Sequence, residues 1–316
     1  MTDAPIEATG PAQRQAAPGE ELSKAPRTLW GDVWREFRKH KGAMIGAGVF
    51  FAICLMVVVG PLIHSTDPTF ADWRARNVGM SWEYPLGTDN VGRDSFAQLL
   101  AGGRVSLAVG VAAMALSILL GALVGILSGY FKRIDGPLMR LTDLFLALPI
   151  LPLLLVIIML FRDPLRAAFG PEMGIFILIV FVIGITSWMQ TARIVRGEVL
   201  ALREREFVLA AHSIGTRPQR ILSRHILPNV VSPIMVSATL GIAAAIITES
   251  ALSFLGLGFP PDFPTWGRLI YDNKDFLQIA PERVIWPGLA VALTVLSVNF
   301  MGDGLRDAMD PRARGR

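Results

Sequence analysis

The sequence predicts an all-α integral membrane protein with six transmembrane helices. Three observations carry that fold class. Hydrophobic residues make up 52% of the 316 and charged residues only 18%, with a mean hydropathy of +0.49; a soluble domain carries about a quarter charged residues. Several apolar runs exceed the roughly 18 residues that mark a membrane span. Most of the 30 basic residues fall in the N-terminal region, the C-terminal region and two internal connecting segments, which is the bias that places those segments in the cytoplasm. The net charge of +4 says nothing about nucleic acid by itself, because the position of the charges decides what they do.

The elements follow in chain order. The start of the chain is rich in Ala, Pro, Glu and Gln and has no apolar core. Residues 1–30 are read as a disordered cytoplasmic tail rather than a signal peptide. A first span is predicted at 43–63, behind Arg27, Arg35, Arg38, Lys39 and Lys41. It and an extracytoplasmic loop occupy residues 31–80. The single cysteine, Cys54, sits in this span, which excludes an intrachain disulfide and a cysteine metal cluster.

The main membrane domain is placed at 81–305, with spans at 104–131, 138–161, 174–192, 229–254 and 284–302. The second of the six carries Gly110, Gly121, Gly125 and Gly129. Its GALVG step has the small-xxx-small spacing that lets helices pack closely in lipid. The third contains Pro149 and Pro152, each of which removes a backbone donor and bends the helix. Asp143 is read as the acid at that helix's N-terminus. Six crossings return the C-terminal tail, residues 306–316 with Arg306, Arg312, Arg314 and Arg316, to the cytoplasmic side.

Some motifs invite a chemical reading and then fail it. GTDNVGRD at 87–94 has the frame of a phosphate-binding loop, but Arg93 and Asp94 stand where lysine and a hydroxyl are needed. It is read as a structured turn in which Asp89, Arg93 and Asp94 pair. With no other nucleotide loop, the chain is not expected to hydrolyse ATP, and no cofactor is expected in it. His212 and His225 lack the spacing of a zinc helix, and no carboxylate completes a set. Glu249 lies near the outer end of the fifth span. It either lines a pathway together with Ser250 and Ser253 or ties the following turn to neighbouring donors.

The longest cytoplasmic segment, 193–228, contains REFVLAAHSIGTRPQRILSRHILPN at 205–229. Phe207, Ala210, Ala211 and Ile214 form a helical stripe. Gly215 suits a left-handed helix end and Pro218 the first turn of a second helix. A DNA-binding helix–turn–helix would need a free compact domain, which a segment between two spans does not supply. A basic loop obeying topology bias explains the arginines but not the A-A-x-x-x-G step followed by I-L-P.

That step resembles the cytoplasmic EAA motif of ABC importer permeases of the dipeptide/oligopeptide family, although His225 departs from the broad pattern. The segments 84–107, 249–270 and 301–312 are similar to other parts of that family. The extra N-terminal span is similar to its second-permease type. The resemblance implies a type I ABC importer permease fold with a coupling helix within about 198–228, carried by Glu206, Ala210, Ala211, Gly215, Leu227 and Pro228. It implies a second permease chain as heterodimer partner, two ATPase domains that bind ATP and magnesium, an extracytoplasmic substrate-binding protein, a peptide-like solute and membrane lipid. No nucleic acid partner is expected. An ion-driven carrier would want central acids or repeated halves, and a membrane enzyme would want a nucleophile–base pair or cofactor fingerprint; the sequence offers neither.

Overall fold

The computed structural model describes residues 29–309. The expected N-terminal tail before Leu29, and Arg312, Arg314 and Arg316, lie outside the described residues. Eleven α-helices form the described part: α1 Leu29–Lys39, α2 Lys41–Ile63, α3 Ser95–Tyr130, α4 Lys132–Ala147, α5 Ile150–Phe169, α6 Pro171–Arg203, α7 Glu206–Ser213, α8 Pro218–Ile221, α9 Leu227–Phe254, α10 Trp266–Asn273 and α11 Glu282–Met309. One π-helical turn, Leu222–Ile226, joins α8 to α9. Among the described residues five helical stretches are long and apolar enough to cross a membrane: α2, α3, α6, α11 and the run from α8 to α9. The α4–α5 pair makes a sixth if counted as one span, but it is bent by 89°.

Several boundaries differ from the sequence reading. The second span begins at Ser95, not 104, because Asp94 caps it: its carboxylate accepts from the N–H groups of Phe96 and Ala97. The third span is two helices. Pro149 stands at the break in an extended conformation and Pro152 falls in the first turn of α5, so both prolines act at the corner. Asp143 is therefore near the end of α4, not at a helix start, and pairs with Arg193 of α6. The fourth and sixth spans run on to Arg203 and Met309. Two helices went unread in the sequence: the amphipathic α1, which packs Phe37 beside Gly304 of α11, and the short α10.

Glycines set the central packing. Along α3, a Cβ on Gly121 would meet Trp188 O and Thr191, one on Gly125 would meet Ala192 O and Val195, and one on Gly129 would meet Arg196 O and Val199. Partner positions rise together along both helices, so α3 and α6 run parallel in a constant register. The small residues let their backbones approach. Helix α9 packs antiparallel on α3, with Gly110 against Ile246 and Gly241 against Met114. Helix α2 packs on α11, where Gly46 approaches Ser297 O. One end of the bundle holds α1, α4, α7 and α8; the far end holds the 65–94 loop, α10 and the α9–α10 segment.

The 87–94 turn is structured as expected. The Asp89 carboxylate accepts from the N–H groups of Val91 and Arg93, from the Arg93 guanidinium at 2.8 Å and from Gln98. Asp94 does not join that pair; besides capping α3 it meets His64 at the end of α2.

Candidate functional site

Helix α7 is an eight-residue surface helix. Its end is built as the sequence foretold. Gly215 has φ +75°, its N–H bonds to His212 O at 2.9 Å, and the Thr216 N–H bonds to Ala211 O at 3.1 Å. These two crossed bonds satisfy carbonyls that the helix end leaves bare. Pro218 opens α8.

Val208 and Ala211 turn inward, into a cluster with Tyr130 of α3, Val195 and Val199 of α6, and Ile221, Ile226 and Val230. The predicted stripe is thus split: of Phe207, Ala210, Ala211 and Ile214, only Ala211 is buried. Phe207, Leu209 and Ile214 are 45%, 47% and 82% exposed, and Ala210 is exposed with them. The helix presents an outer face with Phe207, Leu209, Ala210 and Ile214 exposed among the described residues. Arg205, Arg217, Arg220 and Arg224 are exposed around that face.

The seat of α7 is braced from three sides. Arg203, the last residue of α6, donates to the carbonyls of Gly129 and Tyr130 at 3.3 and 3.4 Å, closing the end of α3. The Tyr130 hydroxyl lies 3.3 Å from Nε2 of His212, with the two rings stacked. Arg196 grips Asp135 of α4 through two parallel bonds, the geometry that a guanidinium fork favours. Glu206 lies in the first turn of α7 and is exposed; Leu227 and Pro228, also exposed, begin α9. The sequence-predicted coupling residues therefore fall on one end of the bundle, at the helix, its cap and the start of the next span.

The other predicted group is at the far end. Glu249, Ser250 and Ser253 lie on α9, all buried. Both oxygens of Glu249 accept hydrogen bonds, one from Ser106 of α3 at 3.1 Å and one from Ser253 at 2.8 Å. The Ser250 hydroxyl is buried with no hydrogen-bond partner among the described residues. Ser106, Thr265 and Trp266 were not singled out in the sequence, because nothing local marks a serine in one helix as the partner of an acid 143 residues away. Among the described residues no group of three or more His, Cys, Asp or Glu is placed to hold a metal ion.

Residues 106–315 match the model of the family described as binding-protein-dependent transport system inner membrane component. The chain belongs to this family. Residues 28–79 match a second model, the N-terminal transmembrane domain of oligopeptide transport permease C. This permease component is 36% identical over 315 residues to the oligopeptide transport system permease protein OppC of Bacillus subtilis, covering 99% of this chain and all of that one. It is also 36% identical to the glutathione transport system permease protein GsiD of Pectobacterium atrosepticum, over 92% and 94% of the two chains. A solved structure of the MetNI methionine ABC transporter in an inward-facing conformation has the same fold in one chain, with TM-score 0.53 over 67% of this chain and 97% of that one, at 16% identity.

Proposed function

We propose that this permease component forms one half of the pore of an ATP-driven importer for di- or oligopeptides or related small solutes. The named relatives support the peptide class. A second permease chain completes the pore, two ATPase domains dock beneath it, and a binding protein delivers solute from outside. This chain does not hydrolyse ATP; ATP and magnesium belong to the ATPase partners. The end bearing α7, rich in exposed arginine, faces the cytoplasm and the 65–94 loop faces out, as positive-inside bias favours.

The observation that carries this reading is the outer face of α7. A short helix is held from within by Val208 and Ala211, while Phe207, Leu209, Ala210 and Ile214 are exposed among the described residues. An exposed apolar patch of this kind on a braced scaffold marks a docking surface. When the ATPases close on ATP, the docked helix moves with them. The register-locked α6–α3 pair then carries the motion through the membrane, so solute affinity alternates between two accessible states.

The test is gentle extraction of the tagged chain from its native membrane, with the co-purifying partners identified by mass spectrometry. A second permease and ATPase chains in the eluate are expected. A chain that purifies alone and still drives uptake in proteoliposomes sinks the proposal and favours an ion-driven carrier.

A further inference from the structure

We infer that Glu249 is the far-end clasp of the transport lever: a positioning residue whose two oxygens fasten the start of α10 to α3 and α9. The inference rests on the importer reading above. It follows from the hydrogen bonds that converge on this carboxylate from α3, α9 and the start of α10.

Two relays converge on Glu249, and each begins at a backbone N–H of α10. In the first, the Trp266 N–H donates to Ser106 Oγ at 3.2 Å, and that hydroxyl donates to Glu249 Oε2 at 3.1 Å. In the second, the Arg268 N–H donates to Thr265 Oγ1 at 3.1 Å, Thr265 donates to Ser253 Oγ at 3.3 Å, and Ser253 donates to Glu249 Oε1 at 2.8 Å. A backbone N–H can only donate. It therefore occupies one acceptor site on the first hydroxyl, whose own proton is free for the next group in the relay. The N-terminal amides that α10 leaves unpaired are thus tied, through three hydroxyls, to one residue in a different helix.

Glu249, Ser106, Ser253 and Thr265 are all fully or nearly fully buried. In so apolar a surrounding an unmatched arm is expensive, and this makes the four groups and the α10 amides act as one unit. The indole of Trp266 reinforces it by donating to Leu99 O at 3.0 Å while its ring fills the space beside Gly103 and Val57. Glycine recurs where the parts meet: a Cβ on Gly267 would strike the Ser250 backbone, and one on Gly102 would crowd Thr265 and Trp266. The α9 helix ends just beyond, with Gly256 at φ +79° and the Leu257 N–H bonded to Leu252 O.

The lever runs from this clasp to α7. Helix α3 carries Ser106 near one end and its glycine register with α6 along the rest. Helix α6 ends at Arg203, two residues before α7 begins its cap. A movement at α7 therefore reaches α10 through α6, α3 and the Glu249 relays, and a binding protein pressing on the far end acts on α7 along the same route. Because Glu249 is 0% exposed, it does this by holding α10 in place and not by touching solute.

The experiment uses the whole reconstituted transporter and reads ATP hydrolysis with and without its co-purified binding protein. Wild type showing stimulation establishes the importer reading independently of any variant; absence of stimulation in wild type removes that reading, and the clasp falls with it. With Glu249→Ala, basal hydrolysis should stay within about twofold while stimulation falls about tenfold, as expected when more than one buried hydrogen bond is lost. Ser106→Ala should weaken stimulation less, and in the Glu249→Ala background it should add nothing, the signature of one network. Glu249→Gln, whose amide N–H₂ cannot accept the proton that one relay presents, should fall between wild type and Glu249→Ala. Full stimulation in Glu249→Ala, or additive losses for Ser106 and Glu249, overturns the clasp. If Glu249→Ala does not assemble, Ser106→Ala and Thr265→Val, each removing one hydroxyl, decide it: full stimulation in both overturns it.

Discussion

Arg104 of α3 donates through Nε to the carbonyl of Val57 at 3.0 Å and through Nη2 to that of Val58 at 3.0 Å. Pro61 lies four residues after Val57 within α2 and has no N–H, so the Val57 oxygen lacks the regular helical donor. An arginine from the neighbouring span supplies it. The guanidinium thereby joins the extra N-terminal span to the main domain at the far end. Arg104→Ala should destabilise the purified protein by about 1–3 kcal/mol, the range for leaving a polar group unsatisfied. Arg104→Lys should recover part of that, since a single ammonium does not reproduce the planar fork. Thermal unfolding in detergent reads both; equal midpoints for wild type and Arg104→Ala would show that the oxygen is satisfied without the arginine.

Two glycines on neighbouring helices should respond oppositely to alanine. At Gly125 a Cβ would sit 2.7 Å from both Ala192 O and Val195 Cβ, whereas at Gly197 there is nothing within 4 Å. Gly125→Ala should cost about 1–3 kcal/mol as overpacking. Gly197→Ala, in the interior of α6, should be neutral or stabilise by up to about 1 kcal/mol through the helix preference of alanine. The same unfolding measurement separates them, and matching losses at both sites would contradict the register of α3 on α6.

Gly215 has room for a side chain but not the backbone for one: nothing lies within 4 Å of its added Cβ, yet φ is +75°. The cost of a side chain there lies in the left-handed conformation itself, about 1–2 kcal/mol for a residue with a Cβ. Gly215→Asn should therefore be tolerated better than Gly215→Ala. Gly215→Arg, which adds bulk beside the docking face, should leave membrane insertion intact and abolish uptake. Normal uptake by a well-expressed Gly215→Arg protein would count heavily against the coupling role of α7.

The local rules were legible in the sequence and the distant partners were not. The cap at Gly215, Pro218 at a helix start and the corner at Pro149 each follow from one residue's backbone chemistry. The GALVG spacing announced close packing. The stripe of α7 was legible as helical but not as inside or outside, because periodicity names a face without saying what covers it; Ala211 alone of the stripe is buried, and Val208, outside the stripe, is buried with it. Asp143 was misplaced because its helix end was set by a proline corner six residues on. The donors to Glu249 and Val57 come from other helices, and no spacing within one segment encodes them.

The arginines around α7 give the last prediction. Arg193, Arg196 and Arg203 are engaged with Asp143, Asp135 and Glu204. Arg205, Arg217, Arg220 and Arg224 are exposed and join no ion pair among the described residues. Between residues 205 and 228 they face a single acid, Glu206. An apolar centre with a charged rim is the usual anatomy of a protein interface, and rim charges govern association rate and salt dependence. The docked ATPase should therefore present acidic groups around an apolar groove. Exposed ion pairs contribute about 0.2–1 kcal/mol each, so the double reversal Arg217→Glu with Arg220→Glu should weaken ATPase retention roughly tenfold. Raising salt from about 0.1 to 1 M shortens the screening length from about 10 to 3 Å and should weaken the wild type in the same direction, with less effect on the reversed variant. Retention of the ATPase on affinity-captured permease reads both. Retention indifferent to salt and to charge reversal would mean that Phe207, Leu209 and Ile214 hold the partner alone.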